Sequence, residues 1–377
     1  MFDARVERLA ELLVNYSLEL RPGQVVRIDA NAEGAPLVVA LHRWALRAGA
    51  HPYEHVSLEE LGEILLTEGS DEQIAFLWDV EKREYERIDA LVTVWADTNT
   101  RALSGVEPDR LQRRIASRRR LSKLLWDRIS AGGATWVGTR FPTHAHAQDA
   151  ELSLAEYEDF VYGACHVRDD EDPVEHWRGV STELNARARE LQTVRELRIV
   201  GPDTDLTLAV DGRRWEAADG RLNMPDGEVF TSPIESATRG EIRFALPAIF
   251  NAREVEDVRL RFEDGRVVHA EAASGEDYLQ SVLAMDEGAR VLGELAFGLN
   301  YEIDRFTHDI LFDEKIGGTI HVALGSGFKH LGSENESGLH WDLICDLRAE
   351  GEVYADGELV WRMGRFLRDP QPAVTGV

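Results

Sequence analysis

The spacing of apolar residues changes near the middle of the chain, and this change constrains the fold more than any other feature. Up to about residue 190, helical spacing alternates with short strand-like runs, of which the clearest are VVRIDA, ALVTVWA and ATWVGTRF. The second run is continuous enough to be buried on both faces of a sheet. A basic amphipathic helix is predicted over residues 108–130. This alternation predicts a parallel sheet wrapped by helices.

The second half of the chain consists of short strands separated by turns. Asp-Gly pairs begin at residues 211, 219, 226, 264 and 356, and the pair at 264 joins two alternating runs as a hairpin. One helix, near residues 275–285, interrupts the strands. The predicted fold class is therefore α/β, with an N-terminal α/β domain (residues 1–192) whose sheet is largely parallel, and a mostly β C-terminal domain (residues 193–377).

Charge and hydropathy exclude several classes of function. The net charge of −27 argues against nucleic-acid binding, which requires a basic surface. No run approaches the roughly 20 apolar residues that a membrane span needs. The first residues, MFDARVERLAELL, mix acids with bases and do not resemble a signal peptide, so a cytoplasmic location is expected. Two cysteines, Cys165 and Cys345, cannot form a disulfide framework, and buried free thiols are expected.

Five polar side chains lie within apolar strand-like segments of the second half. His340 and Asp342 alternate in SGLHWDLICD and therefore share one face of a strand. Glu228 follows a turn, Glu294 lies within VLGELAF, and His321 lies within TIHVALG. Each has a structural alternative: a satisfied core histidine for His321, a turn carboxylate for Glu228, a solvent-facing side chain for Glu294, and an ion pair for His340 with Asp342.

Taken together, these five residues also suit a metal site. Imidazole and carboxylate groups are ligands of zinc, cobalt, manganese and iron(II). Five exceed the three protein ligands of a single catalytic zinc and suit two ions, which can activate water and polarise a carbonyl. From spacing alone, the metal site and the structural alternatives both remain open. A dinucleotide site is not favoured, because GGTIHVALGSG lacks the G-x-G-x-x-G form and does not open a helix.

Several segments, in order along nearly the whole chain, resemble the aminopeptidase T family of dinuclear metallopeptidases. They are TNTRALSGVEPDRL, PTHAHAQDAELSLAEYEDFVY, DPVEHW, NMPDGEVFTSP, VLGELAFGLN, LFDEKIGGTIHVALG and LHWDLICDLR. The resemblance implies that Glu228, Glu294, His321, His340 and Asp342 bind two divalent metal ions, which would be zinc, cobalt or manganese. We expect Glu228 to bridge the ions and Glu294 to act also as the catalytic general base.

The same resemblance implies an activity and an assembly. The expected activity is release of N-terminal amino acids from short peptides, with broad specificity and through metal-activated water. A homodimer is expected for the same reason. The peptide substrates would carry a free α-amine, and neither nucleic acid nor a membrane is an expected partner.

One position departs from the family pattern. The family carries a tyrosine seven residues after the histidine that corresponds to His321, and this chain has Phe328 there. Two alternatives to a peptidase function remain open. One is a mononuclear iron ring-cleaving dioxygenase on a related scaffold, with His321, His340 and Asp342 as its facial triad. The other is a non-catalytic member that binds peptides or metal without turnover. His330, two residues further along, is a candidate substitute for the missing phenol.

Overall fold

The computed structural model of the protein describes residues 3–168, 172–251 and 253–370. The chain forms two compact units, the first containing Met1–Arg178 with Gly220–Pro225, and the second containing Gly179–Asp219 with Asp226–Val377. The boundary expected at residues 192 and 193 follows the end of a helix, whereas the units divide inside that helix. Because the helix runs through the division without a break, its sequence pattern does not mark this point.

The first half of the chain alternates helices and strands, as predicted. Its elements in chain order are α1 (Ala4–Leu12), β1 (Val25–Asn31), α2 (Ala35–Arg47), β2 (His51–Ser57), α3 (Glu59–Glu68), α4 (Asp71–Ala75), α5 (Asp79–Arg87), β3 (Ala90–Trp95), α6 (Pro108–Ser130), β4 (Thr135–Arg140), α7 (His144–Asp149), α8 (Leu154–Ala164) and α9 (Pro173–Leu191).

The second half contains sixteen strands and two short helices among the described residues. In chain order these are β5 (Glu196–Gly201), β6 (Thr204–Ala209), β7 (Trp215–Ala218), β8 (Asn223–Met224), β9 (Glu228–Thr231), β10 (Arg239–Phe244), β11 (Ala248–Phe250), β12 (Arg253–Val255), β13 (Val258–Glu263), β14 (Arg266–Glu271), α10 (Glu276–Leu283), β15 (Leu292–Gly298), α11 (Ile310–Asp313), β16 (Thr319–Gly325), β17 (His340–Asp346), β18 (Glu352–Ala355), β19 (Glu358–Arg362) and β20 (Arg365–Phe366).

The first unit is built on a five-stranded sheet of order β2-β1-β3-β4-β8. Every neighbouring pair in it is parallel, so the predicted parallel sheet is confirmed. The central strands β1 and β3 bury most of their side chains, as the apolar runs indicated. The long helix predicted over residues 108–130 is α6. Among the described residues, every helix is too short or too polar to cross a bilayer.

The second unit packs two antiparallel sheets around one core, which confirms the mostly β prediction. The larger sheet has the order β14-β13-β10-β6-β5-β18-β19-β20, and the smaller has the order β17-β16-β15-β9-β7. The predicted hairpin is β13–β14, and both Asp264 and Gly265 at its turn have positive φ angles, of 48° and 81°. Both cysteines are buried free thiols, as expected.

The two faces of the smaller sheet have different chemistry. Its core face carries large apolar side chains, among them Leu295, Phe297, Val322, Leu324 and Leu343. Alternate residues on these strands point to the opposite face, and there the side chains include the polar residues singled out above and the small Ala296 and Ala323. The core therefore fixes the sheet, and the opposite face is left for the polar residues singled out above.

Candidate metal centre

The five predicted site residues lie together on one face of the smaller sheet. Strand β9 carries Glu228, β15 carries Glu294, β16 carries His321, and β17 carries His340 and Asp342. His321 Nε2 lies 3.7 Å from Glu228 Oε2 and 3.7 Å from Glu294 Oε1. His340 Nε2 lies 3.3 Å from Glu294 Oε2 and 3.5 Å from Asp342 Oδ1. Four strands thus converge on one polar cluster.

A β-bulge at Gly293 places Glu294 on this face. Leu292 pairs with Leu324, but Glu294 pairs with Ala323, so Gly293 is an extra residue in β15. Without the extra residue, the side chain of Glu294 would point to the same face of the sheet as that of Leu292, which is the core face. A Cβ atom on Gly293 would lie 2.2 Å from the carbonyl oxygen of Ser326, so the close approach requires glycine. The alternative that Glu294 faces solvent is wrong, since only 4% of its surface is exposed.

Small side chains leave room for the ligands above the sheet. Ala323 lies in register between Glu294 and Asp342 on the neighbouring strands, and Ala296 lies in register beside His321. A methyl group at each position leaves space over the sheet that a larger side chain would fill. The ligand groups on the flanking strands can therefore reach one another.

The two histidines are oriented by backbone carbonyls. Nδ1 of His321 is 2.9 Å from the carbonyl oxygen of Glu314, and Nδ1 of His340 is 2.9 Å from that of Ser326. Because a carbonyl only accepts, each Nδ1 must donate a proton. In the neutral ring the Nε2 lone pair then faces the carboxylates, an arrangement typical of metal-binding histidines.

The electrostatics of the cluster favour bound positive charge. Burial lowers the pKa of His321, but the nearby carboxylates of Glu294 and Glu228 more than offset this and raise the pKa to about 10. For His340, burial is likewise outweighed by Asp342 and Glu294, which raise its pKa to about 12. Burial raises the pKa of Glu228 well above its usual range. Burial thus opposes a full set of charged carboxylates unless cations lie nearby, and in the absence of metal the raised pKa values of the two histidines favour their positively charged forms.

The donor atoms also fit divalent metal ions. Glu228 Oε2 and Asp342 Oδ1 are buried and have no hydrogen-bond partner among the described residues, although such atoms are normally satisfied. Ligand atoms of Glu294, His340 and Asp342 all lie within 4.8 Å of one another, and so do those of a second group, Glu314, His321 and Asp342. Two groups with a shared carboxylate suit two ions. The shared carboxylate is that of Asp342, whereas Glu228 had been expected to bridge.

Three charged residues at the site were not predicted. Glu314 belongs to the second ligand group, and Lys315 lies beside it with a fully buried side chain. Asp226 is also buried, and its Oδ1 is 3.9 Å from Lys315 Nζ. In the sequence, LFDEKIGG contributes only to the family resemblance. The signal that could have identified Glu314 and Lys315 is the charged run DEK between apolar residues, in a chain that has only four lysines.

Aromatic side chains border the cluster on the side of His340, which is its most exposed member. The Phe328 ring packs edge-on against the rings of His340 and Phe230, at centroid distances of 5.8 and 5.2 Å. His330 pairs instead with Glu216, with Nε2 3.1 Å from Oε2. An apolar ring therefore occupies the position where a phenol was expected, next to the opening of the site.

Comparisons with known proteins agree with this geometry. Residues 2–366 match the sequence model of a family described as thermophilic metalloprotease (M29). The chain is 29% identical to aminopeptidase T of Thermus thermophilus, with 87% of this chain and 86% of that protein covered. It is 27% identical to aminopeptidase 2 of Geobacillus stearothermophilus, with 97% and 98% covered. The structure of wild-type AmpT from Thermus thermophilus superposes with a TM-score of 0.86 at 26% identity, covering 98% of this chain and 100% of that chain. The resemblance to the aminopeptidase T family is confirmed.

Proposed function

The chain belongs to the thermophilic metalloprotease family, M29, and on this premise we propose that it releases N-terminal amino acids from short peptides by metal-dependent hydrolysis. The observation that supports this most directly is the convergence of two histidines and four carboxylates, two of whose buried oxygens lack hydrogen-bond partners in the part of the chain that the structure describes. Neither the family nor its named aminopeptidase relatives support the dioxygenase or the non-catalytic alternative.

The ligand sets follow from the two groups at the site. One ion would be held by Glu294, His340 and Asp342, and the other by Glu314, His321 and Asp342, with Glu228 Oε2 beside His321. Zinc, cobalt and manganese share these ligands, so availability selects among them. When bound, the ions would supply Lewis-acid polarisation of the scissile carbonyl and lower the pKa of the attacking water.

Glu294 is the residue we propose as general base. Its carboxylate lies between the two histidines, and Oε2 is the oxygen nearer to His340, on the open side of the cluster. Oε2 would accept the proton of the attacking water and deliver it to the nitrogen of the departing peptide. Phe328 offers no hydrogen bond to the oxyanion, and its ring would instead exclude water from the scissile bond.

The substrate would be recognised by its free amino terminus. A free α-amine has a nitrogen lone pair that could be held at the metal centre beside His340, whereas the nitrogen of an acylated terminus is an amide and is not basic. A cytoplasmic location is also proposed, and two further proposals rest on the family alone: a homodimer and a broad preference for the N-terminal side chain. Nucleic acid is not among the proposed partners of a chain with a net charge of −27.

Metal analysis combined with peptide hydrolysis tests the proposal. Protein purified without chelator should contain about two zinc, cobalt or manganese ions per chain, and should release amino acids from free peptides but not from their N-acetylated forms. Chelation should abolish the release, and adding back the ion should restore it. About one iron per chain, or equal cleavage of acetylated peptides, would contradict the proposal.

A further inference from the structure

We infer that Lys315 is a positioning residue of the metal centre, whose buried ammonium orients the carboxylates of Glu228 and Glu314 toward the bound ions. The inference rests on the proposed metal-dependent function and adds a residue that does not itself bind metal.

Lys315 is enclosed by acidic groups from separate segments of the chain. Its side chain has no exposed surface. Its Nζ contacts Glu314 Oε1 and lies 3.9 Å from Asp226 Oδ1 and 4.0 Å from Glu228 Oε1. A buried ammonium is tolerated only when it is paired with anions. Because the group is fully enclosed, Lys315 cannot contact a substrate, and any effect on catalysis must pass through its neighbours.

The two oxygens of Glu228 face different partners. Oε1 is directed toward Lys315, whereas Oε2 lies 3.7 Å from His321 Nε2 and has no hydrogen-bond partner within residues 3–168, 172–251 and 253–370. The ammonium thus fixes one oxygen and leaves the other directed into the cluster. Glu314 is held at two points. Its Oε1 contacts Lys315, and its backbone carbonyl accepts a hydrogen bond from Nδ1–H of His321.

The backbone around Lys315 is anchored, so the ammonium has a defined position. The backbone N–H of Asn300 donates to the Lys315 carbonyl at 3.2 Å, and Asn300 Nδ2 donates to the Asp226 carbonyl at 2.8 Å. On the preceding turn, the backbone N–H and Oγ of Thr307 both donate to Asp313 Oδ1, at 2.7 and 2.8 Å. These bonds join the segment that carries Lys315 to the start of β9.

The charge balance indicates what the ammonium does. With neutral histidines, the carboxylates of Asp226, Glu228, Glu294, Glu314 and Asp342 carry the same total charge as two divalent ions and one ammonium. Removing the ammonium leaves one uncompensated negative charge in a buried site, which desolvation strongly disfavours. We expect Glu228 or Glu314 to lose its orientation as a ligand in response.

The test is Lys315→Met, which keeps the length of the side chain and removes its charge. Titration of the metal-free proteins with zinc chloride in a calorimeter should show that one of the two ions binds at least tenfold more weakly, and elemental analysis should show metal content falling toward one per chain. The matched control is Lys329→Met, an exposed lysine, which should bind zinc as the unsubstituted protein does.

A double-mutant cycle separates positioning from a general loosening of the fold. If Lys315 acts through Glu228 or Glu314, then Lys315→Met should weaken zinc binding little further in at least one of two backgrounds, Glu228→Gln and Glu314→Gln. If the losses add in both backgrounds, or if Lys315→Met binds both ions with unchanged affinity, the inference is wrong. If Lys315→Met fails to fold, the same double-mutant cycle is carried out with Lys315→Gln, which is uncharged but keeps a hydrogen-bond donor for Glu314. If the unsubstituted protein binds no divalent ion, the proposed function itself fails, and the inference with it.

Discussion

Glu294 and His340 lie two strands apart in the same sheet, yet Glu294 Oε2 is 3.3 Å from His340 Nε2. They meet across β16, where Glu294 is in register with Ala323, which has only a methyl side chain, and His340 is in register with Gly325, which has none. The space above Ala323 is thus shared by ligands from both flanking strands. The metal centre therefore depends on the size of this space and on the bulge that turns Glu294 toward it, as well as on the ligands themselves.

Replacing a ligand should remove metal and activity together. We expect His340→Ala and Glu228→Ala each to lower the metal content per chain and to reduce peptide hydrolysis by at least about 10³-fold, because positioning and polarisation are lost together. Elemental analysis and amino-acid release measure the two effects. His269→Ala, at an exposed position on β14, is the control. A ligand variant with full metal content and full activity would refute the assignment.

Filling the space above the sheet should exclude metal without removing any ligand. In Ala323→Val, the added methyl groups would project between Glu294 and Asp342, so we expect zinc affinity to fall at least tenfold. Ala323→Ser, which adds one small atom, should retain most binding. Calorimetric titration gives the affinities, and circular dichroism shows whether both variants fold. Wild-type affinity in Ala323→Val would mean that the ions do not lie between these strands.

The bulge at Gly293 should be necessary for the position of Glu294. A Cβ atom there would approach the Ser326 carbonyl oxygen to 2.2 Å, so Gly293→Ala should lower the free energy of unfolding by about 2–4 kcal/mol and weaken metal binding. Denaturant titration and calorimetry measure these changes. Gly62→Ala is the control, since a Cβ atom at Gly62 meets nothing within 4 Å and alanine favours the helix. An unperturbed Gly293→Ala would contradict the role of the bulge.

Phe328 is the position at which a gain of activity is expected. Its ring lies beside His340, so Phe328→Tyr would place a hydroxyl at the opening of the site, where it can donate to the oxyanion. One such donor is worth about 10²–10³ in kcat, and we expect an increase of up to that size at unchanged metal content. Phe328→Leu, which adds no donor, is the comparison. An unchanged kcat in Phe328→Tyr would show that the hydroxyl does not reach the reacting atoms.

His166 should make the first unit sensitive to acid. Burial, together with the nearby His176 and Arg168, lowers the pKa of His166 to about 4, and its ring stacks on that of His176 at 3.7 Å. The unfolded chain takes up this proton near pH 6.5 and the folded chain only near pH 4, so stability decreases as pH falls through this window. We expect a loss of about 1–2 kcal/mol after allowing for solvent screening.

The variant that tests this is His166→Asn. Asparagine tolerates the positive φ of 54° at this position but takes up no proton. Thermal unfolding between pH 7 and pH 4 should therefore show a smaller decrease in stability for this variant than for the unsubstituted protein. Equal decreases would show that other groups account for the acid sensitivity.

Much of the fold could be predicted from sequence, because local patterns carry it. Alternating helices and apolar strands gave the parallel sheet, and the Asp-Gly pair at residue 264 gave the β13–β14 hairpin. Strand β8 was not predictable, since two residues carry no periodicity and the strand forms only by pairing with β4. The division of the two units falls inside α9, where a continuous helix carries no local sequence signal.

For the site, the sequence by itself determined which side chains break the apolar pattern: Glu228, Glu294, His321, His340 and Asp342. It could not determine the face of Glu294, because a bulge reverses the alternation and depends on a contact with Ser326. It also could not identify Glu314 and Lys315, which lie outside the strands and meet the cluster through long-range pairing. Residue chemistry is local and can be read along the chain, whereas the distances between charges and the space among them exist only after the sheets have packed.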